Sequence, residues 1–358
     1  MTTRTSKSEH PLKTVGEFGL ISKIQIWFDE PTSDLLGIGD DCTVVPREDD
    51  RLDLITTDML IEETHFLLEK IEPEDLGHKS LAVNLSDIAA MGGNPEHAWL
   101  SIGLTEKNDI EWLERFFSGM KQLAKQHGVR LLGGDTTRSQ QHMVINILVS
   151  GKTISSEIKL RSSARKGDIV FVTGMLGDSG GGLQLLLNDQ FPGESPSEEK
   201  LIKSHNRPDP CVLQGHWLGR EAAVHALIDV SDGIASDAGH IAARSRMGID
   251  VELTQLPISS ELNEIAGKYG WNITDLACSA GEDYVLLGTC SPSEFDAIRD
   301  KYRKHFSGDG DKNGKIPCTD LIPVGVVREH DERLAPVRFL RKGAPVEYGS
   351  RGFDHFKT

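Results

Sequence analysis

The sequence lacks an excess of positive charge. It carries 39 lysine and arginine residues against 55 aspartate and glutamate residues, a formal net charge of −16 at pH 7. Binding to a nucleic-acid backbone needs a basic surface that displaces counterions, so this composition argues against a nucleic-acid partner. An anionic substrate stays compatible with the composition, but cations would have to bridge it to the protein.

Cysteines are few, and none of them stands in a C-x-x-C pair. The five are Cys42, Cys211, Cys278, Cys290 and Cys318. An odd and scattered set of this kind predicts reduced thiols in a cytoplasmic protein rather than disulfides or a zinc site.

Long apolar runs are also missing, so no membrane-spanning segment is expected. The polar stretch 1–10 lacks the apolar core of a signal peptide, which favours the cytoplasm and no membrane partner. The remaining composition, 38% hydrophobic and 26% charged over 358 residues, is typical of a globular chain of about two domains.

Hydrophobic periodicity predicts an α/β fold in two units, a domain of residues 15–152 and a domain of residues 153–358. A polar tail is expected before the first domain. The predicted strands are 52–57, 98–104, 129–132, 143–151, 169–172, 226–230, 249–253 and 285–289. The predicted helices are 73–93, 109–127, 183–187, 212–226 and 234–246. Segment 191–200, rich in proline, glycine and acids, is predicted to be a surface loop.

The helix predicted over 73–93 organises the first domain. Leu81, Leu85 and Ile88 form an apolar stripe at helical spacing. Asn84 and Asp87 are three residues apart and therefore share a face beside that stripe. Asp87 is a candidate metal or phosphate contact, whereas Asn84 stays open between supporting Asp87 and a separate helix-face contact.

Acidic residues recur where strands end or helices begin, often beside glycine and together with hydroxyl groups. These acids are Asp40, Asp41, Asp58, Asp87, Asp135, Asp229 and Asp232, and the hydroxyls are Thr56, Thr57, Thr136, Thr137 and Ser231. Any one of them alone is better explained as a turn residue or a helix cap. Together they favour a Mg²⁺ site, because carboxylate and hydroxyl oxygens are hard ligands.

The glycine-rich segment 174–182 follows a predicted strand and opens a helix. It lacks the Gly-Lys-Ser/Thr of a P-loop, and its glycines do not fit G-x-G-x-x-G. A phosphate-binding loop and a simple tight turn both remain open for it.

Taken in order, the motifs resemble the thiamine-monophosphate kinase family, a branch of the aminoimidazole-ribotide synthetase superfamily. The matching motifs are Gly-Ile-Gly-Asp-Asp (37–41), Thr-Thr-Asp (56–58), Val-Asn-Leu-Ser-Asp-Ile-Ala-Ala-Met-Gly (83–92), Gly-Gly-Asp-Thr-Thr-Arg (133–138), Asp-Val-Ser-Asp-Gly (229–233), Gly-Glu-Asp-Tyr (281–284) and Gly-Phe-Asp-His-Phe (352–356). The departures at Gly93, Ser163 and Cys211 remove no ligand.

This resemblance implies the two-domain superfamily fold and a homodimer formed through the N-terminal sheet. It also implies that ATP phosphorylates thiamine monophosphate with the help of several Mg²⁺ ions, and it allows K⁺ as a further cofactor. The implied metal ligands are Asp41, Thr56, Thr57, Asp58, Asp87, Asp135, Asp229 and Asp232. The implied ATP contacts are Gly134, Asp135, Arg161 and Ser231, and the implied substrate contacts are His65, Glu282 and Phe353. Without the resemblance, His65 and Phe353 would be interpreted as structural residues.

Two rival interpretations keep the fold but change the function. A selenophosphate or aminoimidazole-ribotide synthetase would use ATP on another acceptor, and the selenium enzyme would be expected to carry a reactive cysteine that residues 1–20 lack. A non-catalytic partner of the hydrogenase-maturation type would be expected to end on a cysteine, whereas this sequence ends Phe356-Lys357-Thr358.

Overall fold

The computed structural model describes residues 11–28, 35–306 and 320–349. A five-stranded mixed sheet forms the first unit, in the spatial order β1-β2-β5-β3-β4. Only β3 and β4 run parallel to each other. The strands are β1 (Thr43–Pro46), β2 (Arg51–Ile61), β3 (Asn94–Leu104), β4 (Arg130–Arg138) and β5 (Val144–Ile154).

A seven-stranded mixed sheet forms the second unit, in the order β12-β11-β8-β10-β6-β9-β7. Its strands are β6 (Ile169–Val172), β7 (Val224–Asp229), β8 (Met247–Glu252), β9 (Leu286–Cys290), β10 (Ile322–Glu329), β11 (Val337–Arg341) and β12 (Ala344–Val346). The predicted α/β class with two units is therefore confirmed.

Helices pack against both sheets. They are α1 (Pro11–Phe28), α2 (Pro73–Ala90), α3 (Ile110–Gln126), α4 (Asp178–Leu187), α5 (Pro196–Asn206), α6 (Val212–Gly219), α7 (Ile234–Ser245), α8 (Ser260–Tyr269), α9 (Ile273–Ser279) and α10 (Phe295–Phe306). Across the described ranges, no helix combines the length and the apolar composition that crossing a membrane requires.

Three sequence predictions about helices are wrong. Helix α1 already begins at Pro11, within the predicted tail, and is kinked at Gly16, whose φ is 69°. Helix α5 occupies much of the predicted loop 191–200, because Ser195 caps it by accepting a hydrogen bond from the backbone N–H of Glu198. Helix α6 ends at Gly219, since the chain must turn before β7 pairs with β9.

Helix α2 is the central element of the fold. Fifteen of its 18 residues are buried, and it packs on β2, β5 and α3 of the first unit and on α6 and β7 of the second. It crosses α3 so closely that a Cβ on Gly77 would lie 1.9 Å from the carbonyl oxygen of Phe116. The polar side chains near its C-terminal end, Asn84, Ser86 and Asp87, form hydrogen bonds with β2 of the first unit and β7 of the second.

Candidate active site

Three carboxylates from distant parts of the chain meet beside α2. Asp41 lies in the loop before β1, Asp87 lies near the end of α2, and Asp229 ends β7. Each offers a carboxylate oxygen, and these oxygens all lie within 4.8 Å of one another. Hard oxygen donors so close together are the kind of set that binds Mg²⁺, so these residues fit the predicted metal.

The electrostatics of this acidic group favour a bound cation. Burial, together with the charges of Asp58, Asp229 and Asp41, raises the pKa of Asp87 well above its ordinary value. Burial and the charge of Asp41 likewise raise the pKa of Asp229, and they raise the pKa of Asp58 to about 6. Like charges in a poorly solvated site raise the free energy of the ionised form, and a divalent cation removes that cost.

Arg161 is the cation that already contacts the acidic group. Its guanidinium donates from Nη2 to Asp41 Oδ1 at 2.5 Å and from Nε to Asp41 Oδ2 at 3.2 Å. Its backbone N–H donates to the carboxylate of Asp40, whose pKa is raised to about 7 by burial and by Asp41. Arg161 therefore fixes the position of the Gly-Asp-Asp loop, and it lies beside the metal-ligand candidates.

Hydroxyl and amide groups orient the carboxylates. Thr56 donates its hydroxyl to Asp87 Oδ2 at 2.5 Å, and Ser86 donates to Asp229 Oδ2 at 2.7 Å. Asn84 is fully buried, and its Oδ1 accepts the backbone N–H of Asp58 at 3.0 Å. Asn84 thus joins α2 to β2, and this buried contact favours a supporting role over a separate helix-face contact.

Asp232 belongs to a second group of possible metal ligands. Ligand atoms of Asp232, Asp237 and His240 all lie within 4.8 Å of one another at the start of α7. Sequence reasoning missed Asp237 and His240, although their spacing of three residues on a predicted helix places them on one face.

A pocket of about 470 Å³ opens beside the acidic group. Asp58, Asp87, Asp229, Ser231 and Asp232 line it together with His65, His205, Glu282, Tyr284 and several leucines. His65 accepts the backbone N–H of Ile61 on Nδ1 at 3.0 Å, so its neutral ring carries the proton on Nε2. The structure thus brings His65, Ser231 and Glu282 to one pocket with the acids.

Thr57, Gly134 and Asp135 lie elsewhere on the same chain. Thr57 points to the face of β2 opposite Thr56 and accepts a hydrogen bond from Asn146 at 3.0 Å. Gly134 and Asp135 lie on the outer strand β4, where every residue is exposed. Strands β5 and β3 separate β4 from β2, so Asp135 is three strand spacings, about 14 Å, from Asp58.

The glycine-rich segment 174–182 is a close-packed turn. Its N–H groups at Gly177 and Ser179 donate to the carboxylate of Asp283, at 2.7 and 3.2 Å. A Cβ on Gly182 would lie 2.1 Å from the carbonyl oxygen of Leu201. These contacts favour the tight turn over the phosphate-binding loop. Phe353 lies outside the described residues.

The family models for AIR synthase related proteins match this chain twice, the N-terminal domain over residues 39–153 and the C-terminal domain over residues 165–307. The thiamine-monophosphate kinase of Haemophilus influenzae is 39% identical over 349 residues, 96% of this chain and 98% of the relative. The Escherichia coli enzyme of the same name is 37% identical over 351 residues, 96% of this chain and 99% of the relative.

A solved structure described as AaThiL complexed with AMPPCP and TMP superimposes with a TM-score of 0.79 at 33% identity, over 98% of this chain and 100% of that one. Escherichia coli HypE, a hydrogenase maturation protein, is 19% identical with a TM-score of 0.64 over 83% of this chain and 85% of that one, and it shares the fold alone. The predicted two-domain superfamily fold is confirmed. The chain belongs to the thiamine-monophosphate kinase family of AIR synthase related proteins.

Proposed function

We propose that this chain transfers the γ-phosphoryl group of ATP to thiamine monophosphate, giving thiamine diphosphate and ADP in the last step of thiamine diphosphate synthesis. One observation carries the proposal: the acidic group of Asp41, Asp87 and Asp229, of which Asp41 and Asp229 are buried and Asp87 is half-buried, adjoins a pocket of about 470 Å³ in a chain of this family. The structure does not favour either rival interpretation, and the similarity to HypE extends to the fold alone.

A cluster of acidic side chains is compatible with this reaction only when it holds metal ions. Donor and acceptor are both anions, and each pair of unit charges at about 4 Å repels by roughly 4 kcal/mol at an effective dielectric constant near 20. We propose that Asp41, Asp58, Asp87, Asp229 and Asp232, with the hydroxyl of Thr56, hold Mg²⁺. Bound Mg²⁺ would neutralise phosphate charge and leave positioning as the main task of the protein.

We propose Arg161 and Ser231 as contacts of the nucleotide. Arg161 can pair with a phosphate through the same planar fork that now holds Asp41, because guanidinium binds phosphate oxygens bidentately. Ser231 lines the pocket, and its carbonyl oxygen accepts the backbone N–H of Glu282 at 2.8 Å. Nucleotide and acceptor contacts thus lie on adjoining backbone segments, which suits a direct transfer between the two.

We propose further that the chain acts as a homodimer. Strand β4 is the end strand of the five-stranded sheet, and Leu131 and Leu132 on it are 48% and 52% exposed within the part of the chain that the structure describes. Exposed apolar edges are usually covered by another strand or chain. Because Asp135 is remote from the acidic group of its own chain, the partner subunit's Asp135 and the partner subunit's Gly134 would complete the site, with Thr57 facing that interface.

No side chain is expected to act as an obligatory base. A phosphate monoester has a second pKa near 6, so the acceptor is already a dianion at neutral pH. With saturating substrates and Mg²⁺, kcat should level off by about pH 7 and stay flat to about pH 9. A further rise of kcat near the pKa of Asp40, about 7, or of Asp283, about 8, would contradict this expectation.

Phe353 is proposed to stack on the rings of the acceptor, one of which is a permanent cation. Phe353→Ala should raise KM for thiamine monophosphate about tenfold and leave KM for ATP within about twofold. Initial rates with each substrate varied in turn measure both constants, and equal changes would remove this role.

The proposed activity is tested by incubating the protein with ATP, Mg²⁺ and thiamine monophosphate and separating the products. Thiamine diphosphate should form in step with ADP. Parallel reactions offer other acceptors, selenide and formylglycinamidine-type ribotides among them. Turnover with one of these, and none with thiamine monophosphate, would overturn the proposal.

A further inference from the structure

We propose that Lys79 and His205 are positioning residues that hold Glu282 as a carboxylate facing the acceptor pocket, where it recognises the positive charge of the acceptor's ring system. This inference rests on the proposed function, and it concerns how the same site selects its acceptor. Neither Lys79 nor His205 belongs to one of the motifs that carry the family resemblance.

Lys79 is a buried cation with a specific anionic partner. Its side chain is 0% exposed in the middle of α2, and its Nζ lies 3.1 Å from Glu282 Oε2. A buried ammonium group is strongly unfavourable unless it is paired and hydrogen-bonded. A methionine or leucine at this position would fill the core without the free-energy cost of burying a charge. Packing alone therefore does not explain a lysine here.

His205 completes the arrangement from α5. Its Nε2 lies 3.5 Å from Lys79 Nζ, and its Nδ1 lies 3.0 Å from Ser179 Oγ and 3.2 Å from Glu282 Oε2. Burial lowers the pKa of His205 to about 3, so the ring is neutral. With Nε2 accepting from Lys79, Nδ1 carries the proton and can donate to the carboxylate.

The backbone at Glu282 is held in a strained conformation that presents this side chain. Glu282 has a φ of 57° and Tyr284 a φ of 50°, both in the left-handed region that disfavours residues other than glycine. The backbone N–H of Tyr284 donates to Val230 at 2.9 Å, and the side chain of Asp283 turns away to α4. Such strain persists where surrounding contacts impose it, and it is common at ligand sites.

The charges around Glu282 leave Lys79 as its one full cation among the groups described here. His205 and His65 face Glu282 with neutral rings, and Asp283 and Tyr284 add no positive charge. Burial works to raise the pKa of Glu282, but the charge and the hydrogen bond of Lys79 bring it below the ordinary value. Glu282 is therefore ionised at neutral pH because of Lys79.

An ionised carboxylate suits the chemistry of the acceptor. Thiamine monophosphate joins an anionic phosphate to a cationic ring and an amino-substituted ring, and Glu282 shares its pocket with Leu60, Leu183 and Leu186. The leucines cover ring surface, and the carboxylate attracts the ring's positive charge. ATP carries no such cation, so losing the carboxylate should weaken acceptor binding selectively.

Lys79→Met tests the inference through both Michaelis constants at pH 6 and pH 8.5. At pH 6, KM for thiamine monophosphate should rise about tenfold relative to wild type, with KM for ATP within about twofold. Without its cation, the buried carboxylate is protonated at low pH and ionises as the pH rises. The ratio of variant to wild-type KM should therefore shrink at pH 8.5.

Lys159→Met is the matched control, because Lys159 is also buried, at 5% exposure, and donates to the carbonyl oxygen of Glu221 outside the pocket. For Lys159→Met, the ratio of variant to wild-type KM should be the same at pH 6 and at pH 8.5, for thiamine monophosphate and for ATP. Equal changes in both Michaelis constants of Lys79→Met, or a pH-independent ratio, would overturn the inference.

A second comparison covers the case in which Lys79→Met fails to fold because it leaves the Glu282 carboxylate buried without its cation: combined with Glu282→Gln, it leaves no unpaired charge. In Glu282→Gln the carboxylate is gone, so adding Lys79→Met should change KM for thiamine monophosphate by less than about twofold. A further large increase in that double variant would contradict the positioning role. Wild-type protein that makes no thiamine diphosphate would refute the proposed function instead, so the two failures can be told apart.

Discussion

Replacing Asp87 by asparagine is expected to lower kcat by on the order of 10³-fold or more while the protein still folds. Asp87 is the carboxylate of α2 that meets Asp41 and Asp229, with ligand oxygens within 4.8 Å. The amide has the same shape and can still accept the Thr56 hydroxyl, but it brings no negative charge to Mg²⁺.

The same substitution should raise the melting temperature in the absence of metal. Because the pKa of Asp87 is raised in the folded protein by burial and neighbouring acids, its ionisation destabilises the fold as the pH rises above the ordinary carboxyl pKa. Removing the carboxyl group removes that cost at neutral pH. Calorimetry in EDTA and steady-state kinetics in Mg²⁺ measure the two effects separately.

Asp168→Asn is the matched control for Asp87→Asn. Asp168 is 2% exposed and accepts hydrogen bonds from Arg165 and His225, away from the pocket. Its replacement should lower the melting temperature and leave kcat near the wild-type value. Near-normal kcat in Asp87→Asn, or a comparable loss in Asp168→Asn, would contradict the role given to the acidic group.

Mixed dimers provide the second large effect. Asp135→Asn alone should be nearly inactive if the partner subunit's Asp135 completes the site. Refolding or co-expressing equal amounts of Asp87→Asn and Asp135→Asn chains should then restore about a quarter of the wild-type activity. About half of the dimers are mixed under random pairing, and each mixed dimer has one intact site and one site that carries both substitutions. A mixture that stays as inactive as its components would place Asp135 in the site of its own chain or outside it.

A matched comparison makes the mixing experiment specific. Asp87→Asn mixed with Asp41→Asn should show no recovery, since both residues belong to the same acidic group of one chain. Recovery in this pair would mean that activity returns for a reason other than a site built from residues of both subunits. Sedimentation of each mixture confirms that dimers are present.

The elements that bring the central acids of the candidate site together could be predicted from the sequence, because their signals are local. The stripe of Leu81, Leu85 and Ile88 identified α2 and its face, and all three side chains are buried. Asp229 stands at the end of a strand in a glycine-containing motif, as many ligand residues in α/β proteins do. Local pattern and motif order were sufficient for these positions.

The parts that were missed depend on long-range packing. Lys79 lies 203 positions before its partner Glu282, and nothing in the surrounding helix distinguishes it from a surface lysine. The position of β4 at the outer edge of the sheet likewise follows from strand pairing, so the separation of Asp135 from Asp58 was beyond sequence reasoning. Helix α5, in contrast, has a Ser-x-x-Glu signature at Ser195 and Glu198 that could have predicted its start.

The most direct test of the account follows the transferred phosphoryl group itself. ATP labelled with ³²P in the γ position is incubated with thiamine monophosphate and Mg²⁺, using wild-type protein and Asp87→Asn side by side. The account predicts that wild-type protein moves the label into the terminal phosphate of thiamine diphosphate, one for each ADP released, and that Asp87→Asn does not. Label that appears only as inorganic phosphate, or equal transfer by both proteins, would contradict it.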